Sequence, residues 1–300
     1  MFGAGKRMVQ NQSERKGGRS KMEKYRCIAL DLDGTLLADD GSLSPASRRT
    51  LEEAMASGVH VVVASGRAFS TLPSCITSIP GIEYAITSNG AAVYRMPGAE
   101  CLCVHKLKTE AVKRVLEIAG RELEQPLYEA FIDGCAYAPA DYVEHPERYG
   151  LTGRSASYVQ STRKPCADFA AFLEAHMGEL DSLDLVFQDQ SEKKRIWEIL
   201  ERETEHIYIT ASVPRLLEIS DELSGKAQAL SYVLDRLGLT ARQAAAFGNA
   251  DNDADMLRFA GLGIAVENAT EQCRKAADRV VESNNEEGAA REIRRLLALP

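Results

Sequence analysis

The chain has 300 residues, of which 45% are hydrophobic and 27% charged, and its formal net charge is −8. This length accommodates one large or two ordinary domains, and the composition is typical of a globular protein in water. The negative charge argues against a general nucleic-acid or membrane-surface binder, and no apolar run approaches the roughly 20 residues that cross a bilayer. We therefore expect no nucleic-acid partner and no membrane partner.

The seven cysteines show no metal-binding pattern, because Cys101 and Cys103 have neither a second pair nor histidines at zinc-like spacing. We interpret this usage as that of a protein in a reducing, cytoplasmic setting. Residues 1–24 are polar and basic and contain no apolar segment of the kind that secretory signals need. They predict a disordered leader, or a start at Met22.

The first third of the chain alternates strands and helices. Ser44-Pro45 opens one helix and Gly58 stops it. This βαβαβ order predicts a parallel sheet that helices cover on both faces. The predicted elements are strands at 27–31, 59–64 and 84–87 and a helix at 45–57.

The pattern changes near Tyr94, where mixed elements predict a separate α+β unit. Asp133-Gly134 is a strong signal for a two-residue hairpin between strands at 127–132 and 135–138. The other elements predicted in this unit are helices at 109–120, 167–177 and 191–202 and strands at 183–187 and 207–211.

After Pro214 the first rhythm returns, with strands at 216–220, 244–247, 262–266 and 279–281 and helices at 226–237, 252–259, 270–277 and 287–297. The predicted fold class is therefore α/β. A doubly wound, Rossmann-like core domain is split in sequence, and an α+β cap domain is inserted between its halves. The predicted bounds are 25–92 and 212–300 for the core and 93–211 for the cap.

Two carboxylates, Asp31 and Asp33, stand where the first strand ends and a loop begins. Alternate residues of a strand point the same way, so both could approach one metal ion, or one could attack while the other handles protons. Gly34 permits a sharp turn and Thr35 adds a hydroxyl. This pattern suits phosphoryl transfer through an aspartyl-phosphate.

Other polar motifs follow other strands of the split domain. Ser65-Gly66 and Asn89-Gly90 follow its second and third strands, and Gly-Asn-Ala-Asp-Asn-Asp at 248–253 follows a strand of its second half. Lys226 stands at a helix start, where backbone N–H groups attract anions. Since ligands of open α/β sheets bind beyond the carboxyl ends of the strands, these motifs predict one shared site.

This constellation resembles the haloacid dehalogenase-like hydrolases, specifically the Cof-type phosphatases with a class IIB cap, from about Arg26 to Leu299. Residues 31–35 match the family's first motif and 65–67 its second. Residues 226–230 are similar to its third motif, with alanine in place of the usual glycine at position 227. Residues 248–253 are similar to its fourth motif, in which the family usually has aspartate at the position of Asn249.

The resemblance implies that Asp31 attacks phosphorus and that Asp33 acts as general acid and then as general base. It also implies that Mg²⁺ binds Asp31, the backbone carbonyl of Asp33 and Asn249, while Asp253 anchors the metal's waters or orients Lys226. The groups implied to hold the phosphoryl oxygens are Ser65, Lys226, Asn252 and the backbone amides of Leu32 and Gly66.

The function implied is a Mg²⁺-dependent phosphatase of small phosphorylated metabolites, sugar phosphates first, acting as a monomer or homodimer. Glu129 and Tyr137 on the predicted hairpin are candidates for substrate specificity. Two alternatives stay open. One is a phosphomutase, and the other is a phospholigand-binding protein without hydrolysis, because Asn249 brings no negative charge to the metal.

Overall fold

Two β-sheets organise the computed structural model of this chain, which describes residues 25–299. The predicted leader at 1–24 lies outside the described residues. The strands are β1 (Cys27–Leu30), β2 (His60–Ala64), β3 (Tyr84–Thr87), β4 (Ala92–Arg95), β5 (Glu100–Val104), β6 (Leu127–Ile132), β7 (Cys135–Pro139), β8 (Arg163–Cys166), β9 (Ser182–Val186), β10 (Ile207–Thr210), β11 (Leu216–Asp221), β12 (Ala244–Gly248), β13 (Leu262–Val266) and β14 (Arg279–Val281).

Helices cover both sheets. They are α1 (Pro45–Ala56), α2 (Ser74–Thr77), α3 (Thr109–Glu122), α4 (Ala140–Glu144), α5 (Gly153–Thr162), α6 (Phe169–Ala175), α7 (Gln190–Glu203), α8 (Lys226–Leu237), α9 (Ala254–Phe259), α10 (Glu271–Ala276) and α11 (Gly288–Leu297). In residues 25–299, no helix combines the length and the apolarity that crossing a membrane requires.

The larger sheet, called the core sheet here, has the strand order β14-β13-β12-β1-β2-β3-β4-β5. Its strands from β14 to β3 are parallel, and β4 and β5 extend it in antiparallel fashion. The chain order reverses between β1 and β12, which are neighbours in the sheet although Ile28 and its partner Ala245 are 217 positions apart in sequence. Such a switch point is where open α/β sheets bind ligands.

The core sheet is buried on both faces, as its β-branched and small apolar strands predict. Ile28 and Leu30 of β1 pack with α1 and α11, whereas Cys27 and Ala29 face α8 and α9. This alternation of one strand between two apolar layers is the mark of a doubly wound domain. The predicted fold class is confirmed.

The smaller sheet, called the cap sheet here, has the order β10-β11-β9-β6-β7-β8, and all its pairs are antiparallel except β7 with β8. Its apolar face packs under α3, α6 and α7. Its other face carries three buried carboxylates in register, since Asp184 lies opposite both Glu129 and Glu218.

The sheet membership of three strands departs from the predicted domain bounds. β4 and β5, at 92–104, extend the core sheet through a hairpin that follows β3, although the change of pattern near Tyr94 suggested a domain boundary. The strand predicted in the core at 216–220 is β11, which pairs with β9 and β10 in the cap sheet. Sheet membership therefore does not follow the predicted bounds at 92 and 212. Helices α4 and α5 and strand β8 were not predicted from the sequence.

Candidate active site

A buried lysine bridges two carboxylates at the centre of the site. Lys226, the first residue of α8, donates from Nζ to Asp31 Oδ1 at 2.8 Å and to Asp253 Oδ1 at 2.6 Å. The Lys226 and Asp253 side chains are fully buried, and that of Asp31 is 8% exposed. The end of β1, the start of α8 and the turn after β12 thus meet at one ammonium group.

Burial governs the protonation of this cluster. Burial, together with the nearby Asp253 carboxylate, raises the pKa of Asp31 to about 7, although Lys226 opposes the rise. Burial alone would lower the pKa of Lys226, but the carboxylates of Asp253 and Asp31 outweigh it and raise that pKa. Lys226 is therefore charged, and a further cation at Asp31 would favour the ionised carboxylate that a nucleophile needs.

Asn249 contacts the opposite side of the Asp31 carboxylate. One terminal atom of its amide lies 3.1 Å from Asp31 Oδ2, 3.1 Å from the main-chain oxygen of Asp33 and 3.0 Å from Thr35 Oγ1. These are the oxygens that the predicted magnesium site requires. Mg²⁺ prefers oxygen ligands in an octahedron at 2.0–2.1 Å, so neighbouring ligand oxygens stand about 3 Å apart. The donor set therefore fits the ion.

Asp253, predicted to anchor the metal's waters or to orient Lys226, contacts Lys226 and the turn after β12. Its Oδ1 accepts from Lys226, and its Oδ2 accepts from the backbone amides of Asn249 and Ala250 at 2.9 and 3.0 Å. Both oxygens are thus engaged away from the Asn249 side chain. These contacts favour the second of its two predicted roles, that of orienting Lys226.

The predicted phosphate-binding groups lie at neighbouring strand ends. Ser65 is 1% exposed, and its hydroxyl accepts from the backbone amide of Arg67 at 3.1 Å, which leaves the hydroxyl hydrogen free to donate. Ser65 and Gly66 line the same cavity as Asp31. Leu32 lies in the turn after β1, and its carbonyl accepts from three successive backbone amides, those of residues 35–37.

Asn252 is buried beside this group but points its donor elsewhere. Its Nδ2 donates to Asn89 Oδ1 at 2.8 Å, and its Oδ1 has no hydrogen-bond partner in the described part of the chain. A phosphate oxygen would need the amide nitrogen. The role of Asn252 toward phosphate stays a prediction.

Asp33 is bound by a residue to which the sequence analysis gave no role. Arg67 donates from its guanidinium to both carboxylate oxygens of Asp33, at 2.7 and 2.8 Å. The same guanidinium lies 4.7 Å from the centre of the Tyr158 ring on α5 of the cap. The Asp33 side chain is 48% exposed and faces the cavity. The only sequence feature that pointed to Arg67 was its place beside Ser65 in the second motif.

A cavity of about 660 Å³ lies between the core and the cap. From the core it is lined by Asp31, Asp33, Ser65, Gly66 and Asn249, and from the cap by Glu129, Tyr158, Arg163, Asp184 and Glu218, among others. The candidate nucleophile and the cap's buried carboxylates therefore share one enclosure.

Of the two specificity candidates on the hairpin, only Glu129 faces this cavity. Its Oε2 accepts from Arg163 Nε and Nη2 at 2.8 and 2.6 Å. Tyr137 packs against Phe172 on the helix-covered face, with ring centres 4.9 Å apart, and is not among the residues that line the cavity. The strand register explains the difference, because Tyr137 lies opposite Ala130, and the successive β6 residues Glu129 and Ala130 point to opposite faces.

Asp184 and Glu218 are cavity residues that the sequence analysis missed. Burial and the neighbouring carboxylates of Glu218 and Glu129 raise the pKa of Asp184 well above its usual value. Glu218 is also buried, which raises its pKa, and it accepts from the Ser212 backbone amide and hydroxyl. The sequence feature that could have identified them is an acidic residue flanked by leucine or isoleucine, in the strands at 182–186 and 216–221.

Known proteins resemble this chain over most of its length. Residues 28–293 match the family model of haloacid dehalogenase-like hydrolases. The chain is 29% identical over 289 residues to the phosphatase YwpJ of Bacillus subtilis, covering 91% of this chain and all of that one. It is 27% identical over 271 residues to the 5-amino-6-(5-phospho-D-ribitylamino)uracil phosphatase YcsE of the same species, covering 90% and 94%.

Solved structures show the same fold. A haloacid dehalogenase-like hydrolase from B. subtilis has a TM-score of 0.76 and 26% identity, covering 91% of this chain and all of the other. A sugar phosphatase of subclass IIB has a TM-score of 0.73 at 19% identity, covering 90% and 98%, which shows the fold alone. The predicted resemblance is confirmed: this chain belongs to the haloacid dehalogenase-like hydrolases, in their Cof-type branch.

Proposed function

We propose that this protein is a Mg²⁺-dependent phosphatase that hydrolyses small phosphorylated metabolites, sugar phosphates above all, through an aspartyl-phosphate on Asp31. The observation that carries the proposal is the setting of the Asp31 carboxylate. One oxygen contacts Lys226 and the other lies 3.1 Å from the Asn249 amide, at the edge of a cavity that reaches the cap.

In the first half of the reaction, a carboxylate oxygen of Asp31 forms a bond to phosphorus while the ester oxygen leaves. Asp33, which first takes up a proton from the solvent that its exposed side chain meets, gives that proton to the departing oxygen. The exposed Asp33 side chain can give up its contact with Arg67 and contact the leaving oxygen instead, since Asp33 and Arg67 both line the cavity. Arg67 remains beside the leaving group and favours the negative charge that Asp33 then carries.

In the second half, Asp33 takes a proton from a water molecule, and the water oxygen attacks phosphorus. The bond between phosphorus and Asp31 breaks, which releases inorganic phosphate and restores the carboxylate. Lys226 neutralises Asp31 throughout, and the Ser65 hydroxyl and the Gly66 amide donate to phosphoryl oxygens. Such fixed donors in a buried site stabilise charge more than water would.

Haloacid dehalogenase-like hydrolases generally use Mg²⁺. Asp31, the Asp33 carbonyl and Asn249 would hold the ion here. Bound there, it would offset the repulsion between the attacking carboxylate and the phosphate dianion.

The cap supports a hydroxyl-rich leaving group. Glu129, Asp184 and Glu218 stand in a row on the face of the cap sheet that lines the cavity, and carboxylates accept hydrogen bonds from hydroxyls. Tyr158 adds an aromatic surface at the same wall. The phosphorylated ribityl compound after which the relative YcsE is named is of this chemical type.

A phosphate-release screen against phosphorylated metabolites in excess Mg²⁺ tests the proposal. We expect release from sugar and polyol phosphates by the wild type and none from Asp31→Asn, because an amide is a poor nucleophile. Retained turnover in Asp31→Asn would refute the nucleophile. Sugar isomerisation without phosphate release would instead indicate the phosphomutase.

The binding-protein alternative makes a different prediction for Asn249→Asp. For an enzyme, this change raises metal affinity and alters the rate at saturating Mg²⁺ only modestly. Hydrolysis that arises in the variant from an inactive wild type would support the binding protein.

A further inference from the structure

The Asn249 amide has two physically distinct orientations in this site. Its inner terminal atom is the one that lies 3.1 Å from Asp31 Oδ2, 3.1 Å from the Asp33 carbonyl and 3.0 Å from Thr35 Oγ1. Nitrogen and oxygen can exchange this position by a half-turn of the amide about the Cβ–Cγ bond.

With the amide nitrogen in the inner position, the polar groups of the metal-free site satisfy one another's hydrogen bonds. The amide has two hydrogens and can donate them to the Asp31 carboxylate and the Asp33 carbonyl, both at hydrogen-bond distance. With oxygen inside, three oxygens converge at 3.1 Å, and only Thr35 supplies a hydrogen, at 3.0 Å. That arrangement needs a cation to offset the contact between acceptors.

The surrounding residues accommodate both orientations. The Thr35 hydroxyl can donate to the amide oxygen or accept from the amide nitrogen. Gly34 has a φ of +77°, and a Cβ there would stand 2.5 Å from the outer terminal atom of Asn249. The absence of that side chain leaves the space the outer atom occupies in either state.

We infer that the Asn249 amide is a two-position switch, with nitrogen toward Asp31 in the metal-free protein and oxygen toward the ion when Mg²⁺ is bound. This inference rests on the metal site of the proposed function and goes beyond it. Rotation breaks the internal hydrogen bonds, so Mg²⁺ alone binds weakly. A phosphate bound beside Asp31 adds negative charge, so phosphate and Mg²⁺ strengthen each other's binding.

An aspartate at this position would behave differently. It cannot donate a hydrogen bond when ionised, and its carboxylate would face that of Asp31 at about the present separation. Asn249→Asp should therefore destabilise the metal-free protein and bind Mg²⁺ without help from phosphate. Asparagine, in contrast, makes the metal-free protein stable by itself.

Calorimetric titration of full-length protein with Mg²⁺, with and without saturating inorganic phosphate, tests the coupling. For the wild type we expect phosphate to tighten Mg²⁺ binding at least tenfold. For Asn249→Asp we expect Mg²⁺ alone to bind at least tenfold more tightly than it binds the wild type, and a lower metal-free Tm. Asn268→Asp is the charge control, because Asn268 contacts the Gly34 carbonyl of the same loop but not Asp31.

Equal Mg²⁺ affinity in wild type and Asn249→Asp, or an equal gain in Asn268→Asp, would overturn the inference. If Asn249→Asp does not fold, an NMR measurement on the wild type still tests the inference. In ¹⁵N-asparagine spectra, the Asn249 side-chain NH₂ should be protected from exchange without metal and should lose that protection with Mg²⁺ and phosphate. An unprotected NH₂ in the metal-free protein would contradict the switch. Neither readout needs turnover, so failure here is distinct from failure of the phosphatase proposal.

Discussion

Arg67 and Asp33 form a two-point ion pair, with guanidinium nitrogens 2.7 and 2.8 Å from the two carboxylate oxygens. The pair connects the candidate general acid to the cap, because the Arg67 guanidinium also lies 4.7 Å from the Tyr158 ring centre. Arg163, which pairs with Glu129, lies over the same ring at 5.1 Å. A continuous series of contacts thus runs from the candidate acid to the cap wall of the cavity.

Replacing Arg67 with lysine tests this arrangement. Lysine cannot make the two-point contact, so the Asp33 carboxylate should be less well oriented. We expect kcat to fall about tenfold or more on an alkyl phosphate, whose leaving oxygen needs the proton of Asp33. On p-nitrophenyl phosphate, whose leaving group needs little protonation, the loss should be smaller. Equal losses on both substrates would contradict an effect through Asp33.

Removing the Lys226 ammonium should cost stability as well as activity. Lys226→Met leaves Asp31 and Asp253 buried without their shared counter-charge, and breaking a buried pair in this way costs about 3–5 kcal/mol. Urea unfolding in metal-free buffer measures the change. Adding Asp253→Asn to Lys226→Met removes one of the two uncompensated charges and should recover part of the loss. No recovery in the double variant would show that the charges are not the cause.

A close backbone contact positions Lys226. Gly90 has a φ of +93°, and a Cβ there would stand 2.2 Å from the carbonyl oxygen of Gly225, the residue before Lys226. Gly58 has a similar φ of +86° with nothing near it, so Gly58→Ala measures the backbone strain alone. We expect Gly90→Ala to be less stable than Gly58→Ala by about 1–3 kcal/mol, the cost of overpacking, and to lower kcat. Equal stability would mean that the two loops are not held in contact.

Asp184 predicts a pH dependence of stability. Burial, with Glu218 and Glu129 nearby, raises the pKa of Asp184 in the folded protein, so folding retains a proton that the unfolded chain releases above about pH 4. The stabilising contribution of this group is full below that pH and is lost as pH rises toward the raised pKa. Asp184→Asn should therefore gain stability over the wild type as the pH rises above about 4, measured by Tm. A difference independent of pH would contradict the raised pKa.

Local sequence patterns predicted the core well because its strands are short apolar runs with motifs at their ends. Because ligands of parallel sheets bind at the carboxyl ends of the strands, we could predict that Asp31, Ser65 and the turn after β12 lie at one edge of the sheet. The exchange of β11 into the cap sheet was not predictable in that way, because strand pairing is a non-local property. Glu218 shows the consequence: in the predicted core it had no role, and in the cap sheet it lines the cavity beside Asp184.

The side-chain contacts of the site were also beyond the sequence. The resemblance left two roles open for Asp253, anchoring the metal's waters or orienting Lys226, and the turn directs Asp253 toward Lys226 and two backbone amides. The bond between Arg67 and Asp33 joins residues 34 positions apart, and no periodicity encodes it.

The central claim is that Asp31 carries the phosphoryl group. Quenching the wild type during turnover of a good substrate, reducing the protein with borohydride and sequencing its peptides by mass spectrometry tests it most directly, since borohydride converts an aspartyl-phosphate to homoserine. We expect homoserine at position 31 in the wild type and none in Asp31→Asn. Rapid turnover with unmodified Asp31, or with the modification at Asp33 or Asp253, would contradict the account.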